Sequence, residues 1–509
     1  MKAIYEQRLA KLKEIADGGA NPFPYRFDVS HRAAGIKQDF DRLSGDETTV
    51  RIAGRLMSLR PHGKTAFGHL RDGSGDIQVY FRKDTVGEDR FKFLDLVDIG
   101  DLVGVTGTVF KTRTGEITVK VSSFELLTKS LRPLPEKWHG LRDKETRYRR
   151  RYVDLFANLE VREVFLKRSA IISHVRRFLD ARGFVEVETP VLQPLYGGAA
   201  AEPFITHHNA LDMKLYLRIA DELYLKRLLV GGMEKVYEIS KDFRNEGIDR
   251  THSPEFTQLE LYQAYADYTD MMNIFEEIVE SLAIEVNGTT RITYQDRELD
   301  LKRPWKRLSV AEGLKLHAGV DLDEEGDEAL RSACGRTGEG DWAKASRGEM
   351  METLIDHFVE PNLIEPTFLY DYPVEISPLA KVSRKDERFA ERFEPFVCGF
   401  ELGNAFSEQN NPIRQREVFE LQRAGEENAD IDLDFIRALE YGMPPAGGLG
   451  IGVDRLVMLL TDSHSIRDVV LFPQMRHETE IEDADTGEEP GPDCDGGGEP
   501  EGEGGSVGI

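Results

Sequence analysis

From Thr49 to about Lys129 apolar and polar side chains alternate through five successive runs: VRIAGRLMSLR, AFGHLRD, DIQVYFRKD, DLVGVTGTVFKT and EITVKVSSFELL. Period-two alternation sends successive side chains to opposite faces, which suits a half-buried strand and not a helix. Turns at Asp72-Gly73-Ser74-Gly75 and Thr114-Gly115-Glu116 separate two of the pairs. A short helical stretch, Glu88 to Val97, interrupts after the third run.

Five strands with a helix after the third predict a small Greek-key barrel of the oligonucleotide-binding type over residues 49–130. Exposed aromatics on such barrels stack bases, at about 1–3 kcal/mol each. Phe67 and Gln78 are the candidates for that face, although Phe67 taken alone also fits as a core residue.

A chain of 509 residues exceeds one ordinary core. Residues 1–48 read as a helical extension, opening with an amphipathic helix that ends at Gly18-Gly19. Residues 131–150 read as a basic linker: from Lys129 to Arg151 there are nine basic residues against three acidic ones. A long helix, Glu160 to Arg182, stops at Gly183, and FVEVETPVL then extends as a strand with Pro190 near its edge. Strands and helices mix from there to Arg476, which predicts a large α+β domain built on an antiparallel sheet over 151–476. Residues 301–390, more helical and more polar, read as an inserted subdomain. Residues 477–509 hold twelve Asp or Glu and no Lys or Arg, so the rest of the chain carries −14 of the net −26. This Gly- and Pro-rich acidic tail reads as disordered.

Several classes are set aside. No run approaches a membrane span, and the charged N-terminus lacks the apolar stretch of a secretory signal. Cys334, Cys398 and Cys494 lie far apart, which argues against disulfides and zinc and fits a reducing cytoplasm. Gly63-Lys64-Thr65 is no phosphate loop, because Ser58 stands where the first glycine belongs and no strand-to-helix junction surrounds it.

FRNEGIDRTHSPEFTQLELY, Phe243 to Tyr262, reads as a hairpin broken at Gly247 and resumed after Pro254. Period two puts Arg244 and Glu246 on one face, and Phe256, Gln258, Glu260 and Tyr262 on one face of the returning arm. Leu259 and Leu261 point toward whatever covers the sheet; an ordinary solvated hairpin would read the same. In RFEPFVCGFELGNAFSEQN, residues Asn404, Phe406 and Glu408 share a face, flanked by Glu394 and Glu401. Clustered carboxylates repel unless a cation lies between them, and Mg²⁺ takes one or two such ligands beside a polyphosphate. GGLGIGVDRLVMLL, Gly447 to Leu460, lets backbones approach closely and then enters a helix with Arg455 in its first turn. That junction alone fits a packing device as well.

The three segments, in this order and after a nucleic-acid-binding barrel, resemble the class II aminoacyl-tRNA synthetases of the aspartate, asparagine and lysine subgroup. GGAAAEPFITHHNALDMKLYLRIADELYLKRLLVGGMEKVYEISKDFRNEG is similar to the bacterial-type lysyl-tRNA synthetases nearly throughout, and the resemblance covers roughly residues 1–476. It implies activation of L-lysine by ATP to lysyl-adenylate, transfer to the terminal adenosine of a cognate tRNA, and a homodimer formed through the long helix and the strand near Pro190. It implies that Glu394 and Glu401 hold Mg²⁺, that Phe256 and Arg455 sandwich adenine, and that His252 and Glu246 help place the nucleotide. Arg244 would bridge the lysine carboxylate and the α-phosphate with paired donors. Glu260, Glu408 and Tyr262 would read the ε-ammonium under Phe406. Glu222 and the backbone near Gly198 would hold the α-amino group, and Asn404 would help hold the carboxylate. The barrel would bind the anticodon through Phe67 and Gln78.

Relatives that attach lysine-like groups to a protein lack such a barrel, and a chain that had lost catalysis need not keep these charges. Three positions depart from the expected pattern. Ser253 stands where Asn is usual, and Ala405 replaces a common Gly. Glu401 and Glu408 are seven apart, so one regular strand would aim them to opposite faces; a bulge or bend near Gly403 is expected.

Overall fold

The computed structural model describes residues 2–135, 141–323, 326–338, 340, 342–425 and 431–476. The acidic tail, 477–509, and residues 136–140 of the basic linker lie outside the described residues. The chain divides into two compact units between Arg142 and Asp143.

The first unit is a closed barrel, with strands in the order Val50–His62, Thr65–Asp72, Gly75–Arg82, Ile117–Thr128 and Leu102–Lys111. Only the contact between Gly75–Arg82 and Ile117–Thr128 is parallel. The helical stretch after the third strand falls at Lys83–Val86 and Glu88–Phe93. Alternation works as the sequence requires: Ile77, Val79 and Phe81 are buried, whereas Gln78 and Tyr80 between them stay on the outer face. Phe67 also lies outside, since its neighbour Ala66 fills the interior.

The second unit opens with two short helices, Lys144–Arg149 and Arg151–Ala157, that take up the end of the expected linker. Arg147 and Arg151 both pair with Asp154, and Arg149 pairs with Glu145. Arg151 is fully buried, so these charges are in part structural and not a free basic stripe.

A nine-stranded sheet organises the rest. Its strands run in the order Lys306–Ser309, Thr367–Pro373, Phe389–Val397, Gly403–Ser407, Ala446–Gly452, Glu255–Ala264, Lys235–Phe243 and Val185–Glu186, with Phe400–Glu401 beside Phe389–Val397. Pairing is antiparallel except at the two edges. Helices Leu159–Asp180, Tyr268–Asn287 and Val453–Leu460 contribute Ile171, Val175, Phe275 and Leu456 to a core with Leu259, Leu261, Leu449 and Ile451. This fixes which way the sheet faces. In Glu255–Ala264, Ala446–Gly452 and Gly403–Ser407, Leu259, Leu261, Leu449, Ile451 and Ala405 put the odd-numbered face on the core, and the even-numbered face meets the opposite side.

Two expectations change. FVEVETPVL forms strand at Val185–Glu186, turns irregular, and ends at Leu192, which begins the short strand Leu192–Gln193 of a separate three-stranded sheet; Pro190 between them has no N–H to continue a ladder. Within 301–390, Lys306–Ser309 and Thr367–Pro373 belong to the main sheet, so the helical excursion lies between them. It packs on its own apolar cluster, which includes Leu314, Leu330, Met351 and Leu354.

Candidate active site

Three neighbouring strands form the floor of one cavity. In register, Gly452, Gly450 and Gly448 stand opposite Gln258, Glu260 and Tyr262 on one side. Gly450 and Gly448 also stand opposite Asn404 and Phe406 on the other. The sequence Gly-Leu-Gly-Ile-Gly is therefore an alternating strand whose core face is aliphatic and whose cavity face has no side chains. The space left above the glycines is what the flanking side chains line. A Cβ at Gly448 would come within 2.5 Å of the Tyr262 ring and would overlap Glu408 Oε1.

The cavity brings together Gly198, Glu222, Arg244, Glu246, His252, Ser253, Phe256, Glu260, Tyr262, Glu401, Asn404, Phe406, Glu408 and Arg455. Every residue expected from sequence for the small-molecule site lines it except Glu394. The parity problem of Glu401 and Glu408 is resolved by a break in the strand. Phe400–Glu401 pairs with one neighbour only, Leu402 turns into the core, and the ladder restarts at Gly403.

One end is anionic. Glu260 is buried, accepting hydrogen bonds from Tyr262 Oη at 2.5 Å and Gln258 Nε2 at 2.7 Å. Burial, reinforced by the neighbouring Glu222 carboxylate, pushes Glu260 up to about 8. Glu408 is likewise buried and held well above the carboxylate range by desolvation, against the pull of Lys226. Among the described residues its Oε1 has no hydrogen-bond partner. Unpaired buried carboxylate oxygens call for a cation.

The other end is cationic, and here the expected hairpin is corrected. The strand ends at Phe243 and resumes at Glu255, so Arg244 and Glu246 lie on the connecting loop and not on a strand face. One further bond, from Arg244 N to Pro254 O, closes the base of that loop. Asp249 shapes its tip, accepting from the backbone N–H groups of Thr251 and His252 at 2.6 and 2.7 Å. The Arg244 guanidinium lies over the Phe256 ring at 5.1 Å, and its Nε has no partner among the described residues. Arg455 donates to Glu401 Oε2 at 2.7 Å and contacts His252 Nε2 at 3.3 Å. Its guanidinium sits over Phe400, not Phe256.

Glu394 sits just outside the cavity lining, with its oxygens accepting from Arg392 at 2.6 Å and Tyr372 at 2.7 Å. Its pKa is raised by burial, with Glu401 adding repulsion against the pull of Arg392. Burial raises Asp356 to about 7, with Glu352, Glu394 and Glu401 adding repulsion, and Glu360 to about 9, with Glu394, Asp356 and Glu401 adding repulsion. No cluster of three or more metal-ligating side chains occurs among the described residues. Two mutually repelling carboxylates nonetheless fit a magnesium ion that keeps most of its waters.

On the barrel, Phe67 stacks on Tyr80 with ring centroids 4.5 Å apart. Gln78 donates to Glu116 at 2.7 Å and accepts from Thr118 at 2.7 Å. Tyr80 completes this outer face and was not singled out from sequence. Lys226, Asp454 and Asp221 also escaped the sequence reading. Asp454 accepts from Arg168 and from Thr257 N, tying the long helix to the cavity strand. Asp221 is a buried carboxyl raised by desolvation and by Glu260. The signal for Lys226 was its spacing, four residues after Glu222 on one helix.

The sheet, the loop and the glycine strand define a class II synthetase catalytic unit. Residues 143–476 match the class II tRNA synthetases (D, K and N), and residues 50–127 match the OB-fold nucleic acid binding domain. The chain belongs to the class II tRNA synthetases of the D, K and N group. It is 57% identical over 485 residues to the lysine–tRNA ligase of Pelotomaculum thermopropionicum, covering 94% of this chain and 95% of that one. The lysine–tRNA ligase of Carboxydothermus hydrogenoformans is 55% identical over 94% of this chain and 98% of its own. That of Fervidobacterium nodosum is 54% identical over 95% of this chain and 96% of its own.

Proposed function

We propose that the chain is a lysine–tRNA ligase that activates L-lysine with ATP and transfers it to the terminal adenosine of a cognate tRNA. The observation that carries this reading is a single cavity with buried carboxylates at one end and two arginines at the other. Lysine has matching ends: an ammonium-bearing side chain and a carboxylate that must meet a phosphate.

In this reading the first step needs no general base. The α-carboxyl, with a pKa of about 3.3–3.7, is already ionised. Its oxygen attacks the α-phosphorus of ATP, the bond to the bridging oxygen breaks, and pyrophosphate leaves. The task is to bring two anions together, which alignment and positive charge accomplish. Arg244, half-buried and with an unpaired Nε among the described residues, supplies donors to both. Phe256, Arg455, His252 and Glu246 hold the nucleotide. Glu394 and Glu401 would hold Mg²⁺, which when bound would screen the triphosphate charge. Glu260, Glu408 and Tyr262 take the ε-ammonium, Phe406 covers the methylenes, and Glu222 with Gly198 takes the α-amino group while Asn404 helps hold the carboxylate. In the second step a ribose hydroxyl of the tRNA attacks the activated carbonyl and AMP leaves.

Phe67 and Gln78, on the outer face of the barrel, bind the anticodon. Val185, Val191, Leu192 and Ile205 are apolar yet exposed near the parallel edge strand, which supports a homodimer through that region. No helix among the described residues is long and apolar enough to cross a membrane, and the cysteine spacing supports a cytoplasmic setting. The deciding assay is lysine-dependent ATP–pyrophosphate exchange followed by charging of tRNA. Exchange driven by aspartate or asparagine instead of lysine would overturn the substrate, and exchange with no charging would overturn the acceptor.

A further inference from the structure

Lys226 is completely buried and lies behind the cavity lining. It sits one helical turn after Glu222 on the helix Glu222–Val230. Its ammonium pairs with Glu222 Oε1 and with Glu408 Oε2, and lies 5.1 Å from the Phe406 ring centroid. The remaining oxygen of each carboxylate is turned to the cavity. Glu222 Oε2 lies 3.8 Å from the position of a Cβ at Gly198, and Glu408 Oε1 lies against Gly448; both glycines line the cavity.

We propose that Lys226 is a positioning residue that sets both the geometry and the charge of the lysine pocket, holding one oxygen of Glu222 and one of Glu408 so that their other oxygens meet the two ammonium groups of the substrate. This rests on the reading of the cavity as a lysine site. With Glu222, Glu260 and Glu408 ionised, the pocket alone would carry three negative charges. The buried ammonium leaves two, which the α- and ε-ammonium groups of lysine neutralise. Without Lys226 one negative charge stays uncompensated in a buried site, and the pocket relieves it by keeping a proton. The dication still needs two ionised carboxylates, and without the Lys226 charge Glu260 and Glu408 hold their protons to higher pH.

The groups that share this field are Glu222 on the helix, Asp221 in the turn before it and Glu408 after the strand Gly403–Ser407. Glu260 and Tyr262 face it from Glu255–Ala264, and Asp242 from Lys235–Phe243, with Arg218 offsetting Asp242 and Asp221. Lys226 pulls Glu260 and Glu408 toward the ionised side, so removing it moves both toward the protonated side.

The test measures KM for lysine and for ATP in pyrophosphate exchange, from about pH 7 to about pH 9, for the wild type, Lys226→Met and Lys226→Gln. At the low end both variants are expected to raise KM for lysine about 10-fold or more, with KM for ATP within about twofold. The excess should shrink as pH rises and the pocket ionises. Three results overturn the proposal: a lysine KM close to wild type, a defect equal at every pH, or loss of folding in both variants, which would make Lys226 a structural support. A wild type with no lysine-dependent exchange would instead overturn the functional reading itself.

Discussion

At the residue scale, Glu260 decides how the site responds to pH. Burial and the neighbouring Glu222 hold it at about 8 in the empty pocket. Below that value the carboxyl is largely neutral, and an incoming ammonium must displace a proton. Above it the carboxylate is ready. The KM for lysine should therefore fall as pH rises toward about 8 and then level off. Glu260→Gln should remove that dependence and raise KM for lysine by at least tens-fold, since a charged hydrogen-bond partner is lost from a buried site. A Glu260→Gln enzyme with the wild-type pH profile would assign the titration to another group. Glu260 and its strand-mates were legible because period two and Leu259–Leu261 already told which side was wet. Arg244 was legible as a residue but not in its conformation, because nothing local marks where pairing stops before a long loop. Lys226 was hidden for a different reason. It reads as an ordinary helix-surface partner of Glu222, and only the fold brings Glu408 and Phe406 onto it.

At the element scale, the glycine strand and the loop control different substrates. Gly448 sits opposite both Tyr262 and Phe406, so a methyl group there presses on the Tyr262 ring and on Glu408. Gly448→Ala should cost about 1–3 kcal/mol of overpacking and lift KM for lysine, while KM for ATP stays nearly constant. Equal kinetics for the two substrates would mean that the strand yields more easily than its pairing on both sides implies. The loop between Phe243 and Glu255 depends on Asp249. Although partial burial pushes its carboxyl up, hydrogen bonds from His252 and Thr251 outweigh this and bring it to about 2. Asp249→Ala frees His252 and removes charged hydrogen bonds that solvent screens at this exposed carboxylate, about 0.5–1 kcal/mol. KM for ATP should rise about 2- to 5-fold with KM for lysine little changed. The expected bend near Gly403 was legible from the seven-residue spacing of two glutamates, though its form was not. The core claims Leu402, and the strand is interrupted there in place of bulging.

At the scale of the whole molecule, the two units carry separate cores, and this divides recognition from chemistry. The barrel was the most legible part of the chain, because five alternating runs, though interrupted by register shifts in Val50–His62 and between Leu102–Lys111 and Ile117–Thr128, leave little choice of inner face. What alternation could not tell was whether Phe67 packs inward or outward, since a single aromatic in a strand fits either side. The register answers it: Phe67 stands opposite Tyr80, and His69 opposite Gln78, all on the side away from Leu70, Ile77 and Val79. An unbroken pair of stacked rings on an outer sheet face offers a base two aromatic surfaces, with Gln78 beside them already tethered by Glu116. Stacking of one base contributes about 1–3 kcal/mol, so Phe67→Ala and Tyr80→Ala should each raise KM for tRNA about 5- to 150-fold in charging. Gln78→Ala should act in the same direction with a smaller effect on a non-cognate tRNA, because a side-chain amide reads an edge while a ring reads a face. None of the three should alter lysine-dependent pyrophosphate exchange, which uses only the second unit. Parallel loss of exchange and charging would mean that the barrel face supports folding, and that the outer aromatics are held there for packing and not for a base.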